Sequence, residues 1–315
     1  MATKTISAYD NANDASIIST MTLSASQTLV HFANDTQVPM QFIFAGEQAL
    51  HCRYLAGNAN AEAWQTSTEF AWLQLRIEET GDLVADTKAV YNELLSRVRG
   101  SSHPYLIRIW NYFADINMGD EDAERYRQFC VGRAQAVDAQ FNDPPPAATA
   151  IGYVGPNRGL FVIALCSKQA AIALENSRQT PAWQYPRQYG KVSPGFSRGA
   201  LLNADANNPI LLASGTASIV GHASMHVDDV AEQCCESLRN LRALLDEGEK
   251  HCGAHFDFSA CQALRVYIRE PNMLKLIQLI FEQSGIPAQN IVYIHGEVCR
   301  RELMVELEGV FGAVS

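Results

Sequence analysis

Apolar residues recur in the same order twice along this chain: a short strand, a helix of three-to-four-residue period, a second strand and a second helix. That rhythm narrows the possible folds more than any other property, because each periodicity marks a face that must be buried against a neighbour. In the later half, NPILLA (208–213) is an apolar strand running into Ser214, Gly215 and Thr216. Asp228 or Asp229 is placed to cap a helix over 229–246, where Val230, Cys234, Leu238, Leu241 and Leu245 recur at helical spacing. Gly248 stands where a left-handed cap is expected. ALRVYIR (263–269) follows as a strand, then a helix over 272–284 with Leu274, Ile277 and Phe281 on one face, stopped by Gly285. The chain closes on a predicted hairpin, 291–299 with 303–310, around a turn at Arg300, Arg301 and Glu302.

The earlier half repeats the pattern. QFIFAG (41–46) takes the place of the first strand, and a helix over 82–98 carries Leu83, Thr87, Tyr91, Leu94 and Val98. A strand over 105–117 and a helical stretch over 121–141 follow. DPPPAA (143–148) interrupts regular structure, since proline fixes φ and removes a donor. The expected architecture is therefore α+β, two like units over 1–145 and 146–315, each a mixed sheet with helices packed on one face.

Composition removes several classes of function. With 34 Asp and Glu against 24 Lys and Arg, the formal charge of −10 argues against a nucleic-acid partner or an anionic membrane surface. The longest obvious apolar run, 160–166, is far short of the ~18 residues of a spanning helix. The opening residues are polar, unlike a signal peptide, so a cytoplasmic location is expected. Eight cysteines, none in a C-x-x-C, fit a chain that needs no disulfide framework.

SPGFSRGALL (193–202), LLASGTASIVG (211–221), RVYIR (265–269) and LMVELEGV (303–310) resemble the YjgF-like reactive-intermediate deaminase fold. A wider set of blocks is similar to the chorismatases, which split chorismate into pyruvate and a ring acid. These are ERYRQFCVGRA (124–134), PAATAIGY (146–153), ENSRQTPAWQYPRQYG (175–190), SGTASIVGH (214–222) and EVCRRELMVELEG (297–309). The resemblance implies two YjgF-like units, the first degenerate and the second catalytic, with chorismate as the small-molecule substrate. It implies 3-hydroxybenzoate as a product, with 4-hydroxybenzoate as a lesser one, and no cofactor or metal. A duplicated chain is expected to cover its own shared surfaces as a monomer.

Such a reaction needs fixed cations for two carboxylates and an acid for the enol-ether methylene. A carboxylic acid with a raised pKa suits the second task, because its anion then stabilises the cation it has created. Glu306 is the candidate, since a carboxyl in the apolar 303–310 strand is costly without a task or a partner. Its plain alternative is a solvated edge-strand residue, with Glu308 on the same face. The family resemblance associates the cysteine of EVCRREL, Cys299, with aromatisation to 3-hydroxybenzoate, and matches Tyr185 and Arg187 to a substrate-contacting pair. Arg158 and Arg269 are further carboxylate candidates, whereas Arg300 and Arg301 are read as solvated. Gly215 and Thr216 offer donors to the cleft, and Ala213 stands where side-chain size could steer the product.

Other signals carry less. H-x-x-x-H at His222 and His226, and again at His251 and His255, lacks the glutamate of a zincin. Gly152, Gly155 and Gly159 form neither a dinucleotide fingerprint nor a phosphate loop. Competing activities are hydrolysis of chorismate to a dihydroxycyclohexadiene acid, imine hydrolysis and ligand binding without turnover. VYIHGEVC lacks the carboxylate-holding arginine of the deaminases' R-x-C-V-E-V strand.

Overall fold

The computed structural model describes residues 3–6, 21–24, 62–66, 70–153, 158–206 and 208–314. The predicted 41–46 strand lies outside these residues. A small antiparallel ribbon pairs β1 (Thr3–Ile6) with β2 (Met21–Ser24). The first large sheet contains β3 (Glu62–Thr66), β4 (Phe70–Glu78), β5 (Tyr105–Ala114), β6 (Ala147–Tyr153) and β7 (Gly159–Ser167), in the order β3-β4-β7-β5-β6. Helices α1 (Leu83–Arg99) and α2 (Arg125–Ala136) pack on it. The second sheet contains β8 (Ile172–Leu174), β9 (Gly199–Leu202) and β10 (Ile210–Ala217). After a two-stranded flap, β11 (Ile219–Val220) and β12 (Ala223–Ser224), it is completed by β13 (Phe256–Ile268), β14 (Ile291–His295) and β15 (Val305–Ala313). Its order is β14-β13-β15-β10-β9-β8, and α3 (Val230–Cys252) and α4 (Leu274–Glu282) cover it.

The duplication is visible at the level of topology, with β8 the one strand of the second sheet that has no counterpart among the described residues. β3-β4-β7-β5-β6 matches β9-β10-β15-β13-β14 strand for strand, with α1 and α2 answering α3 and α4. In each unit one pair is parallel, β5 with β6 and β13 with β14, and the last strand returns antiparallel into the middle of the sheet. This differs from the expected division at 145/146. β6 and β7 pair within the first sheet, so the seam between sheets falls after Ser167. The prolines at 144–146 end a crossover inside the first unit, which also requires a helix stop. The strand matching β10 is β4, not 41–46.

The predicted hairpin is likewise replaced. β14 and β15 do not pair, because β13 lies between them. Residues 296–304 instead form a loop across the end of β13, and strands close in sequence need not be neighbours in a sheet. In α3, Asp229 caps the start by accepting the Glu232 amide at 3.0 Å. The helix passes through Gly248, where a Cβ would crowd Leu211, and ends at Gly253 with φ of 71°. Backbone freedom is needed at Gly253, whereas Gly248 provides space.

The helix-free faces of the two sheets pack on each other through Trp72, Trp110, Tyr112, Ile163, Leu212, Tyr267 and Val310. This central layer fixes how the units sit. Tyr112 and Tyr267, at matching places in β5 and β13, meet across it with their hydroxyls 2.8 Å apart. Among the described residues no helix is long and apolar enough to cross a membrane.

Candidate active site

Glu306 lies in the centre of the second sheet, opposite Ala217 of β10 and Tyr267 of β13. It is 4% exposed, which removes the solvated edge-strand reading. A bulge between Ala213 and Thr216 lets β10 pass close to its carboxyl. A Cβ at Gly215 would overlap Glu306 Oε1, so any larger residue here would push that carboxyl aside. Burial, and then the charge of Glu308, push the Glu306 carboxyl up to about 8, against the pull of Arg108, Arg198 and Arg269.

Glu308, two residues on, has the opposite environment. It accepts bonds from Arg108 Nη2 (2.7 Å), Arg265 Nη1 (2.8 Å), Thr149 Oγ1 (2.6 Å), Tyr267 OH (2.8 Å) and Trp110 Nε1 (3.0 Å). Burial opposes its ionisation, but the Arg265 and Arg108 guanidiniums outweigh burial and hold its carboxyl below the usual range. One carboxylate is thus fixed as an anion beside a second that is kept protonated. Two like groups pushed apart in this way mark a division between structural charge and proton donor.

Glu306 faces a cavity of about 460 Å³ between the units. The first unit supplies Tyr126, Cys130 and Arg133 of α2 and Thr149 of β6. The second supplies Gly215, Ala217 and Glu306, and the 185–198 segment and the 299–302 loop close the mouth. Three arginines in this wall keep a buried guanidinium nitrogen without a hydrogen-bond partner: Arg133 Nη2, Arg198 Nε and Arg300 Nη2. Leaving a charged donor unsatisfied is expensive, so each of the three is a candidate partner for an anionic oxygen at the cavity. Arg198 Nη2 is braced by Tyr185 OH and Thr180 O, both at 2.8 Å. Arg300 donates to His222 O at 2.9 Å and lies 3.9 Å from the Tyr189 ring centre. It is therefore a wall residue and not a solvated turn. Arg301 also lines the cavity and bonds Asn117 O at 2.7 Å.

Cys299 lines the same cavity. Burial and the neighbouring Glu306 charge push its thiol up to about 12, so it is a neutral thiol near pH 7 and not a thiolate. Tyr185 and Gly215 are also in the wall. The remaining expected contacts are not. Arg187 is turned out to Asp122, with bonds of 3.0 and 2.6 Å, and its side chain is 65% exposed. Arg158 is exposed and paired with Asp115. Arg269 is spent on backbone carbonyls of the 298–303 loop. Ala213 is packed in the core beneath α3, and Thr216 Oγ1 donates to Ser214 O at 2.9 Å outside the cavity wall. Arg133 and Arg198 were missed, although each stands inside a block already singled out, CVGRA and GFSRG. Gly195, close to Arg133, is a position where a Cβ would overlap that guanidinium.

Among the described residues no group of three or more His, Cys, Asp and Glu could hold a metal ion. His226 and His255 face Glu236 and Glu249 at 3.5 and 2.7 Å.

A protein of Streptomyces rapamycinicus named chorismatase is 34% identical over 264 residues, covering 81% of this chain and 78% of its own length. This chain belongs to the chorismatase family. A second relative, named 3-hydroxybenzoate synthase, from Streptomyces hygroscopicus, is 32% identical over 252 residues, 77% of this chain and 74% of that one. The family model described as chorismatase FkbO/Hyg5-like, N-terminal, matches residues 50–166 and so ends with β7, at the seam between the sheets. A crystal structure of a chorismatase superposes with a TM-score of 0.72 at 28% identity, covering 83% of this chain and 79% of that one.

Proposed function

We propose that this chain cleaves chorismate to pyruvate and hydroxybenzoate, with 3-hydroxybenzoate as the principal ring product. The observation that carries the reading is a buried, protonated Glu306 in a cavity with three incompletely bonded arginines. Chorismate brings what this wall lacks: two carboxylates for Arg133, Arg198 and Arg300, and an enol ether for the acid.

Glu306 transfers its proton to the enolpyruvyl methylene, which becomes the methyl group of pyruvate. The resulting oxocarbenium-like cation lies beside the new Glu306 carboxylate, with Glu308 adding negative potential. The ether breaks as the ring's own 4-hydroxyl takes part. Cys299 assists the ring proton transfers of aromatisation, and the released proton restores Glu306. Hydroxybenzoate and pyruvate together have the atoms of chorismate, so no water is consumed. When water captures the ring or the cation instead, one molecule is added and the dihydroxycyclohexadiene acid results.

Incubating the purified protein with chorismate and separating the products by chromatography tests this. Pyruvate equal to the total ring product is expected, most of it 3-hydroxybenzoate, and an untouched chorismate peak would defeat it. Cys299→Ala is expected to move ring product toward the dihydroxy acid. If that variant still gives only hydroxybenzoate, the thiol has no part in aromatisation.

A further inference from the structure

Cys299 is held by an unusual concentration of bonds from residues that do not line the cavity. Arg269, at the end of β13, uses Nη2 to reach Val298 O at 2.8 Å, Arg300 O at 2.9 Å and Asn117 Oδ1 at 2.9 Å. Its Nε donates to Leu303 O at 2.9 Å. Asn117, just past β5 in the other unit, donates from Nδ2 to Cys299 O at 3.1 Å. Three successive carbonyls, 298, 299 and 300, are therefore fixed by one arginine and one asparagine that also bond each other. The two come from different units, and Asn117 is buried. Its backbone carbonyl takes a further bond from Arg301 at 2.7 Å.

A loop needs no such clamp merely to connect two strands. Backbone carbonyls at a loop are ordinarily satisfied by water. Fixing the peptide groups on both sides of one cysteine instead fixes the direction of its Cα–Cβ bond, and with it the approach of the thiol to the cavity. A displacement of about 1 Å in a group that moves a proton is enough to change rates by about 10²-fold.

We propose that Asn117 and Arg269 are positioning residues that set the product partition by holding Cys299 in line with the ring. The inference rests on the proposed chorismate cleavage and on the part given there to Cys299. Asn117 acts through the thiol and touches no substrate.

The isosteric Asn117→Asp variant keeps the acceptor for Arg269 and removes the donor to Cys299 O, together with the longer 3.5 Å contact from Nδ2 to Glu124 Oε1. Wild type, Asn117→Asp and Cys299→Ala are incubated with chorismate, and pyruvate, 3-hydroxybenzoate and the dihydroxycyclohexadiene acid are quantified. For Asn117→Asp the ratio of hydroxybenzoate to dihydroxy acid is expected to fall at least about fivefold, while total pyruvate release stays within about threefold. Cys299→Ala should shift the ratio in the same direction. A shift in Cys299→Ala alone overturns the clamp and leaves the role of the thiol standing. No shift in either variant overturns both, and a shift in Asn117→Asp alone shows that the asparagine does not act through Cys299. Failure of the wild-type protein to consume chorismate removes the basis itself. Arg269→Lys, which keeps the charge but not the reach to several carbonyls, carries the same expectation should Asn117→Asp fold poorly.

Discussion

The two units share their strand order and differ at the places that matter for chemistry. On the last, central strand of each, Glu306 pairs with Tyr267, and Phe161 pairs with Tyr112. Glu308, opposite Arg265, corresponds to Ile163, opposite Trp110. Thr149 on β6 corresponds to Val292 on β14. One end of the shared inter-sheet layer is therefore a polar cavity, whereas the matching place at the other end presents Phe161 and Ile163, with Arg76 over the Phe161 ring. A duplicated fold needs only one working copy of its cleft, and the second copy is then free to become packing.

The largest effect expected from breaking this asymmetry is at the acid. Glu306→Gln should lower pyruvate release by about 10²–10⁴-fold in a coupled assay, the range of a lost general acid. Phe161→Glu added to that variant should restore nothing, since Phe161 packs against Tyr153 and Arg76 and not beside Arg133, Arg198 and Arg300; recovered turnover would show that the two ends are interchangeable. Glu308→Gln leaves Arg108 and Arg265 without their shared carboxylate, and chemical denaturation should show a loss of about 3–5 kcal/mol. Gly215→Ala forces the Glu306 carboxyl aside and should reduce the rate by about 10²-fold with little change in unfolding midpoint.

A pH profile gives the next effect. The proposed reaction needs protonated Glu306, so the rate should fall as pH rises through about 8. Stability follows the same sign: a carboxyl whose folded pKa is raised from 4.5 to about 8 contributes fully below 4.5, and that contribution is lost as pH climbs through about 8. Glu306→Gln should remove this slope between pH 4.5 and about 8 in urea melts. The smallest effect belongs to Arg187→Ala, which should leave kcat/KM within about twofold because its guanidinium faces solvent and Asp122. Arg198→Ala, by contrast, should raise KM about 10–100-fold. Equal losses in these two variants would return Arg187 to the site.

The sequence allowed the repeat to be read because helix periodicity and caps are local. Asp229 and the α3 stripe are examples; the cap of α1, Asp82, which accepts the Ala85 amide at 3.1 Å, is seen only in the structure. Glu306 was legible because an acid in an apolar strand conflicts with its surroundings. Pairing order was not, since nothing in 291–310 reveals that β13 will lie between its two strands. Gly248 and Gly253 look alike in sequence, and only the closeness of Leu211 separates a packing glycine from a capping one. The arginines failed for a related reason. Arg187 is diverted by Asp122, which is distant in sequence, and Arg300 is drawn in by Tyr185 and Tyr189, so which guanidinium faces the cavity depends on contacts between segments.

The cavity takes its floor from the second sheet and much of one side from α2 and β6 of the first. A gene cut at the seam after Ser167 would encode two polypeptides that each inherit half a reaction vessel. Each would lack wall residues that the other supplies, which ties the two copies of the fold together at this cavity.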